Sequence, residues 1–537
     1  MRESSINYEC SNELKSFCKN QNPANTYHIP FISVQEVGKL IENLKNSKSL
    51  GPDNIPVYLL KVALPFVVEP LTYIYNLCID KHVFPNLLKE AKVIPLPKTK
   101  DTTHPQNLRP ISLLPILSKP LEKHIHKHLY EHLERHGLIN KYQSGFRPKH
   151  SCHTALVNLI DSWLTAINEN ELIGTVFLDF KKAFDLVNHD ILLKKSELYF
   201  PNSATQELIK SYISNRYQYV YLNGNKSNRK LIKSGVPQGS VLGPLFFILY
   251  INDLPFHINK DTKHTLFADD ASLYAMDVKL PDINNYLQDS INKVISWCKR
   301  NSMVIHPEKT KCMIITTRQK RQLEPLHLNI KIGSSTIEQV KHHKMLGFYI
   351  DSDLTWNHHI ETLIKRISRS IFLLTKLKKY TAKDNLKLFF NAHIMSHINY
   401  ASSLYDGCSK DTFKKLNSIH RRAIKHLHHQ HGQSTDDKLK VLQILPLTKQ
   451  LEYNKLIVTH NIYNGRTPTY LNNLIKKPAE RYASMNLLAP TPRIDLYKTS
   501  LAYSGTELWN KLPIEIRKIT SRNTFKKRLF KHLLNKN

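Results

Sequence analysis

Phe267-Ala268-Asp269-Asp270 is the stretch that decides the reading of this chain. Two adjacent carboxylates lie between short apolar runs, Thr265-Leu266-Phe267 before and Ala271-Ser272-Leu273-Tyr274 after. That pattern predicts a tight β-hairpin with the acidic pair at its tip. Neighbouring side chains on a strand point to opposite faces, so at the turn only one aspartate need face a shared site with the other close by. Like charges this close repel, and a divalent cation offsets the repulsion; hard oxygen ligands suit Mg2+. An exposed Asp-Asp turn is the competing reading, and the tetrapeptide alone does not decide between them.

Working outward, Leu172 to Phe180 is a nearly continuous apolar run with Asp179 at its exit, which predicts a buried strand ending in a carboxylate. If that strand neighbours the acidic hairpin in one sheet, three acidic oxygen donors converge. Such a set suits two Mg2+ ions about 3.5–4 Å apart, clamping the attacking and leaving oxygens of an in-line phosphoryl transfer. Chemistry of this kind asks the protein for positioning and charge stabilisation rather than covalent participation. For Asp179 alone, a strand-end cap is the alternative.

At 537 residues the chain has room for several domains, and Lys and Arg (77) outnumber Asp and Glu (44) to give a net charge of +33. Such an excess suits a polyanionic partner. A membrane surface is the rival polyanion, yet no apolar run approaches the roughly 20 residues that span a bilayer. The longest candidate, Val241 to Ile251, is short and contains Gly243 and Pro244. Nucleic acid is therefore the expected partner, with no membrane. The seven cysteines are scattered without a Cys-x-x-Cys pair, and the start carries no signal-peptide pattern, which predicts reduced thiols in an intracellular protein. Among the 28 histidines, His426-Leu-His428-His429-Gln-His431 and the run from His124 to His136 invite a metal reading. The second run alternates with Lys and Arg and is read as a solvated basic face spread around a helix.

Along the chain, residues 1–28 are polar and without sustained periodicity, which predicts little order. Ser33-x-x-Glu36 then opens a helical pattern (Val37, Leu40, Ile41, Leu44) in the manner of a capping box. Helical periodicity recurs near 57–63, 67–82, 118–136 and 151–168. Lys92 to Pro97 alternates like a strand, and its prolines confine it to a sheet edge. Helical segments at 189–197 and 204–214 precede a hairpin, 217–223 with 229–233, turned by Asn223-Gly224-Asn225. Gly235-Val-Pro-Gln-Gly239 leads into an apolar helix at 241–251. An amphipathic helix near 283–301 and strands near 311–316, 327–332 and 346–350 follow the acidic hairpin. From Asn357 the sequence is almost wholly helical and basic, with segments at 358–378, 383–394, 411–429, 447–463 and 468–475.

Three of these stretches resemble, in order and spacing, core motifs of reverse transcriptases: Phe177-Leu-Asp179-Phe-Lys-Lys-Ala-Phe184-Asp, Gly235-Val-Pro-Gln-Gly239-Ser-Val-Leu-Gly-Pro-Leu and Phe267-Ala-Asp-Asp270. The variant is similar to that of non-LTR (LINE-type, jockey-like) retrotransposons. Further matches are Lys48-Ser-Leu-Gly-Pro-Asp53, Arg109-Pro-Ile-Ser-Leu, Ser144-Gly-Phe-Arg147-Pro, Asn301 through Lys309-Thr310, and Leu346-Gly-Phe-Tyr. The resemblance implies an α+β right-hand polymerase: an antiparallel palm sheet, helical fingers, then an all-helical basic thumb and C-terminal region. It divides the chain into an unordered start (1–32), a helical extension (33–77), the reverse transcriptase domain (78–350), a thumb-like region (351–475) and a helical tail (476–537).

The resemblance also implies roles. Asp179, Asp269, Asp270 and the backbone carbonyl of Phe180 bind two Mg2+ ions, with Mn2+ as the substitute. Phe184 stands under the sugar of the incoming nucleotide and excludes a 2′-OH; read without the family it is core packing. Gln238 and Gly239 line the templating pair, a segment that is otherwise only a turn. Arg147, and more weakly Arg109, grip the triphosphate with a planar guanidinium fork. Lys309 donates a proton to pyrophosphate, although His306-Pro307-Glu308-Lys309 departs from the family, which usually has Asn two places before the Lys. Asp185 is read as a local cap. Lys414, Lys415, Arg421, Arg422 and Lys425 hold the duplex through its phosphates; for each, a solvated charged face is the alternative. The implied reaction is DNA synthesis on an RNA template from a DNA primer with dNTPs. An endonuclease, an RNase H acidic set and a Cys/His knuckle, which some relatives carry, are not expected within this sequence. A catalytically inactive or host-domesticated nucleic-acid-binding remnant is the alternative function, and nuclear access is expected if the protein acts on chromosomes.

Overall fold

The computed structural model describes residues 8–21, 27–323, 325–427, 434–478 and 485–535. In chain order its first helices are α1 (Asn12–Gln21), α2 (Val34–Glu42), α3 (Val57–Val62) and α4 (Leu64–Asp80). Strands β1 (Ala91–Pro97) and β2 (Leu108–Leu113), helices α5 (Ser118–Arg135) and α6 (Cys152–Asn168), and strand β3 (Leu172–Leu178) follow. Next come α7 (His189–Tyr199), α8 (Ser203–Ile213), and strands β4 (Tyr217–Leu222), β5 (Asn225–Lys226) and β6 (Lys230–Leu231). Helix α9 (Gly243–Ile251), hairpin β7 (Thr262–Phe267) and β8 (Asp270–Asp277), helix α10 (Leu280–Arg300) and strand β9 (Lys311–Ile315) complete the mixed part. From Asn357 the described residues are helical, in segments that include Asn357–Leu377, Lys410–Leu427, Leu447–Tyr463 and Arg522–Asn535. This is a mixed α/β architecture.

The chain divides into two compact units, each discontinuous in sequence. One takes in the described residues of Met1–Phe146 with Asp179–Ile258 and Ser290–His306; the other takes in Arg147–Leu178, Asn259–Asp289 and those of Pro307–Asn537.

In the first unit the sheet runs β2-β1-β4, with β5 and β6 on β4. Strand β1 was expected at an edge and instead lies between two partners: β2 pairs along Lys92 to Pro97, and β4 pairs only along Ala91 to Val93. The prolines escape the rule because Pro95 and Pro97 lie beyond the stretch that β4 needs. Asn223 (φ 49°) and Gly224 (φ 84°) form the left-handed turn predicted for the next hairpin, which closes sooner than expected, on Asn225.

Residues 12–21, expected to lack order, form α1 with Leu14 and Cys18 buried. Tyr8, Cys10, Leu14 and Cys18 are all buried, a stripe that the polar composition around it conceals. Lys194 donates to the Tyr8 carbonyl at 2.7 Å, so this segment is tied down from outside itself. Of the rest of the expected unordered start, 1–7 and 22–26 lie outside the described residues, while 27–32 are described, with Ile29 and Ile32 buried.

The histidines of α5 are likewise not a solvated face. His124 and His132 are buried; His124, His128, His132 and His136 recur every fourth residue and so lie along one side of the helix. Ring centroids are 4.5 Å apart for His124–His128 and 4.7 Å for His132–His136. His428, His429 and His431 lie outside the described residues.

A buried ion pair holds the first unit from within. Lys195 meets Asp253 at 2.7 Å and the Tyr250 carbonyl at 2.6 Å, and the Trp297 indole donates to the same Asp253 oxygen at 3.0 Å. The two opposite charges meet directly and share further hydrogen bonds, which is the condition for burying them at tolerable cost.

In the second unit β3 is central, paired antiparallel with β8 on one side and β9 on the other, with β7 outside β8. All seven of its residues are buried, the near-continuous apolar run that a strand covered on both faces requires. Gly174 lets helix α10 lie against the strand, since a Cβ there would run into Ile283 and Leu287. One continuous hydrophobic core then extends from α6 and β3 through Trp356 and the basic helices to Leu533.

Asp161 of α6 is buried in that unit, and its oxygens accept the backbone N–H groups of Leu501 (2.9 Å) and Ala502 (2.8 Å). Burial pushes its carboxyl up to about 6, against the downward pull of those two bonds and of the Lys455 charge. A carboxyl raised on folding binds more protons in the native state, so its contribution to stability is full below about pH 4 and is lost as pH climbs toward 6. The stability of the wild type relative to Asp161→Asn should therefore fall by roughly 2–3 kcal/mol between pH 4 and pH 7. Denaturant midpoints of both proteins across that range measure it.

Candidate active site

The acidic hairpin forms as its sequence predicts. Strands β7 and β8 pair in register from Thr262↔Ala275 to Phe267↔Asp270, leaving Ala268 and Asp269 as the turn. Ala268 takes a φ of 56°, the left-handed conformation that two-residue hairpin turns demand and that an L side chain adopts at a cost of about 1–2 kcal/mol. Strain of this kind, held in place by two well-paired strands, is typical of a turn kept for what it presents. Asp269 is half-buried and Asp270 exposed, so both carboxylates reach water from the end of a buried sheet.

Strand β3 brings the residue before Asp179 beside the hairpin. Its last pair is Leu178↔Ala271, one residue beyond Asp270, and Asp179 follows Leu178 directly in the chain. Past that point the backbone is pinned within the first unit: Asp179 accepts from His306 N–H at 2.8 Å, and Lys181 N–H donates to Val304 at 2.8 Å. These two bonds bracket the bridge Phe180↔Ile305. In an antiparallel pair so bracketed, the central residue's own N–H and C=O turn away from the partner strand. The carbonyl of Phe180 is thereby directed away from 304–306.

The first unit also assembles the Gly235–Gly239 segment. Val236 N–H donates to Phe184 (2.9 Å), Gly235 N–H to Val187 (2.7 Å), and Ser112 N–H of β2 to Gln238 (2.8 Å). Gly235 (φ 88°) and Gly239 (φ 135°) have no room for a Cβ, which would strike the Asp185 backbone or the Ser112 carbonyl respectively. Gln238 is aimed by its side-chain amide, which donates to Asp185 at 2.9 Å. Asp185 is therefore no mere local cap: it orients the glutamine. Phe184 stacks on Phe247 at 4.3 Å and meets the edge of Phe146 at 6.3 Å. Phe146 itself has a φ of 55°.

Glu122 is the positioning residue that sequence reasoning missed. Fully buried on α5, it accepts Val241 N–H (2.7 Å), Leu242 N–H (3.3 Å), the Tyr212 hydroxyl (3.1 Å) and the Ser118 hydroxyl (3.0 Å). An acidic side chain at the start of α9 satisfies amides that the helix cannot and complements its dipole. The signal was present only as an acidic residue within an apolar stripe of a basic helix.

The other predicted residues are placed separately. Arg109 is exposed on β2 in the first unit, whereas Arg147, half-buried, and Lys309, exposed, belong to the second. On the helix Lys410–Leu427, Lys414, Lys415, Arg422 and Lys425 are exposed, and Lys365, Lys414 and Lys415 line one groove. Arg421 differs, since its guanidinium is engaged by Asp436 at 2.8 and 3.3 Å.

Carboxylate oxygens at a solvent-facing hairpin tip, where Ala268 just before Asp269 is held in a strained conformation, suit hard divalent cations. Comparison with known proteins agrees with this chemistry. Residues 96–350 match the family described as reverse transcriptase (RNA-dependent DNA polymerase). The chain is 29% identical over 406 residues to the probable RNA-directed DNA polymerase from transposon BS of Drosophila melanogaster, covering 73% of this chain and 44% of that protein. It is 26% identical over 407 residues to the RNA-directed DNA polymerase from mobile element jockey of the same species, covering 74% and 44%. The probable RNA-directed DNA polymerase from transposon X-element is 28% identical over 398 residues, covering 73% and 43%. The chain thus spans less than half the length of these relatives. Within that span it is similar to the RNA-directed DNA polymerases of these mobile elements, and residues 96–350 are the part that matches the reverse transcriptase family.

Proposed function

We propose that this chain copies an RNA template into DNA, extending the 3′-OH of a primer with dNTPs. The observation that supports the reading most strongly is the register of β3 on β8, which brings the start of the acidic hairpin beside the residue preceding Asp179. On this reading Asp179, Asp269, Asp270 and the Phe180 carbonyl hold two divalent ions, Mg2+ by the hardness of the donors. When bound, the ions supply Lewis-acid stabilisation of the oxygens that gain charge during nucleotidyl transfer. The sheet β9-β3-β8-β7 is the palm, the first unit's sheet with its helices supplies the fingers, and the basic helices after Asn357 are the thumb.

The chain's own residues supply position. Phe184, backed by Phe247, presents a flat wall to the sugar, and Gln238, aimed by Asp185, faces the templating pair. Arg147 and Arg109 offer planar donors to the triphosphate, and Lys309 a proton donor to the leaving group. The exposed cations Lys414, Lys415, Arg422 and Lys425 hold the duplex by its phosphates. Arg421 contributes only if its pairing with Asp436 opens. The inactive-remnant reading is not favoured, since the three aspartates stand intact in a chain of net charge +33.

Two outcomes test the proposal. Asp269→Asn, which keeps the turn while removing the charge, should cut primer extension on an RNA template by on the order of 10³-fold or more. Template–primer affinity should stay close to wild type, and undiminished extension would refute the assignment. Phe184→Val, which shortens the wall behind the sugar, should raise ribonucleotide incorporation relative to dNTP by about 10- to 100-fold. Competing incorporation from mixed nucleotide pools measures it, and an unchanged ratio removes Phe184 from that role.

A further inference from the structure

We propose that Glu36, His124 and His128 form a Zn2+ site that clamps helix α2 to helix α5. The inference does not depend on the polymerase reading. His124 and His128 are four residues apart on α5 and so share a face. Glu36 comes from α2, whose N-cap Ser33 accepts the Glu36 N–H at 3.2 Å and so fixes where its side chain starts. One ligand-type atom from each of the three residues lies within 4.8 Å of the other two.

The hydrogen bonds around His124 carry the argument. Its side chain is only 1% exposed, and Nε2 sits 2.7 Å from the Pro30 carbonyl, which can only accept, so Nε2 bears a proton. Nδ1 then confronts Oε1 of Glu36 at 3.5 Å. In a neutral imidazole these are two lone pairs facing one another, and a cation bound by both removes the conflict. Zinc with bonds of about 2.0–2.1 Å sets tetrahedral ligand atoms about 3.3–3.4 Å apart, close to the 3.5 Å found here. A histidine that binds metal through one nitrogen commonly donates its other N–H to a backbone carbonyl, which is the part Pro30 plays.

Donor chemistry selects the ion. Two imidazoles and one carboxylate suit Zn2+, leaving its fourth position to water, whereas Mg2+ prefers oxygen donors and keeps its own water. Lys127 is the competitor: its ammonium lies 3.1 Å from the same Glu36 oxygen on a side chain that is half exposed and free to swing outward. Glu131 stands 3.9 Å from Nδ1 of His128 and can orient that ring from the far side. A clamp at this place would stiffen the helix that carries Glu122, and through it the start of α9.

The test uses the full chain, stripped with chelator and titrated with Zn2+ in excess Mg2+ by calorimetry, with Co2+ absorption as a second reading. Twenty-eight histidines guarantee weak background binding, so variants decide the matter. Wild type should take up one tight equivalent, give the intense visible bands of four-coordinate Co2+, and melt at higher temperature with Zn2+ present. His128→Ala and Glu36→Gln should each lose at least the roughly 100-fold in affinity that even outer-shell changes reach. Lys127→Met should bind Zn2+ more tightly than wild type. Should the ligand variants fail to fold, that gain still separates the site from a plain His124–Glu36 ion pair, which predicts none. Wild type without a tight equivalent, equal affinity in wild type and folded ligand variants, or no gain in Lys127→Met overturns the proposal.

Discussion

The placing of the acidic hairpin depends on how β3 is paired. The strand is hydrogen-bonded on both sides and buried on both faces, so its register with β8 is set by packing along its whole length. Side chains alternate with a period of two, and a slip of one residue would turn every apolar side chain to the wrong face. The Leu178↔Ala271 pairing is therefore robust, and it holds the end of β3 beside the strand that begins at Asp270. Carboxylates placed by a strand end inherit the rigidity of the sheet; a loop of equal length would leave them free to separate.

A different device controls the segment around Gln238. It has no secondary structure of its own and borrows order from three neighbours: the backbone at 184–187, the β2 backbone at Ser112, and Glu122 beneath the start of α9. Two glycines allow the approach, because neither Gly235 nor Gly239 leaves space for a side chain. Distant parts of the sequence thus converge on a short stretch through backbone contacts, and the side chains of Gln238 and Phe184 are left over for other work.

Local pattern was enough to read the hairpin, the buried strand and most helices, since each is announced by its own periodicity or turn residues. What escaped was relational. Helix α1 lay hidden because four buried residues, Tyr8, Cys10, Leu14 and Cys18, are diluted by polar neighbours. The prolines of β1 misled because edge or interior is a property of each residue pair, and β4 stops at Val93. The histidines of α5 were read as a solvated face spread around the helix, although the spacing of four places His124, His128, His132 and His136 along a single stripe. Asp185 and Glu122 have ordinary sequence surroundings, and only their partners 53 and 119 residues away disclose what they do. Of the site, the three aspartates were legible as charges at the ends of apolar runs; the groups that aim and support its neighbours were not.

The bonds from Leu501 and Ala502 to Asp161 have a bearing on how the protein is made. Their partner on α6 is synthesised some 340 residues earlier. At 5–20 residues per second, a ribosome needs roughly 17–70 s to cover that distance. Throughout the interval the Asp161 carboxylate lacks these two donors, so this corner of the second unit cannot close until nearly the whole chain has emerged. A product that terminates before residue 501 lacks both donors and leaves the buried Asp161 carboxylate without them.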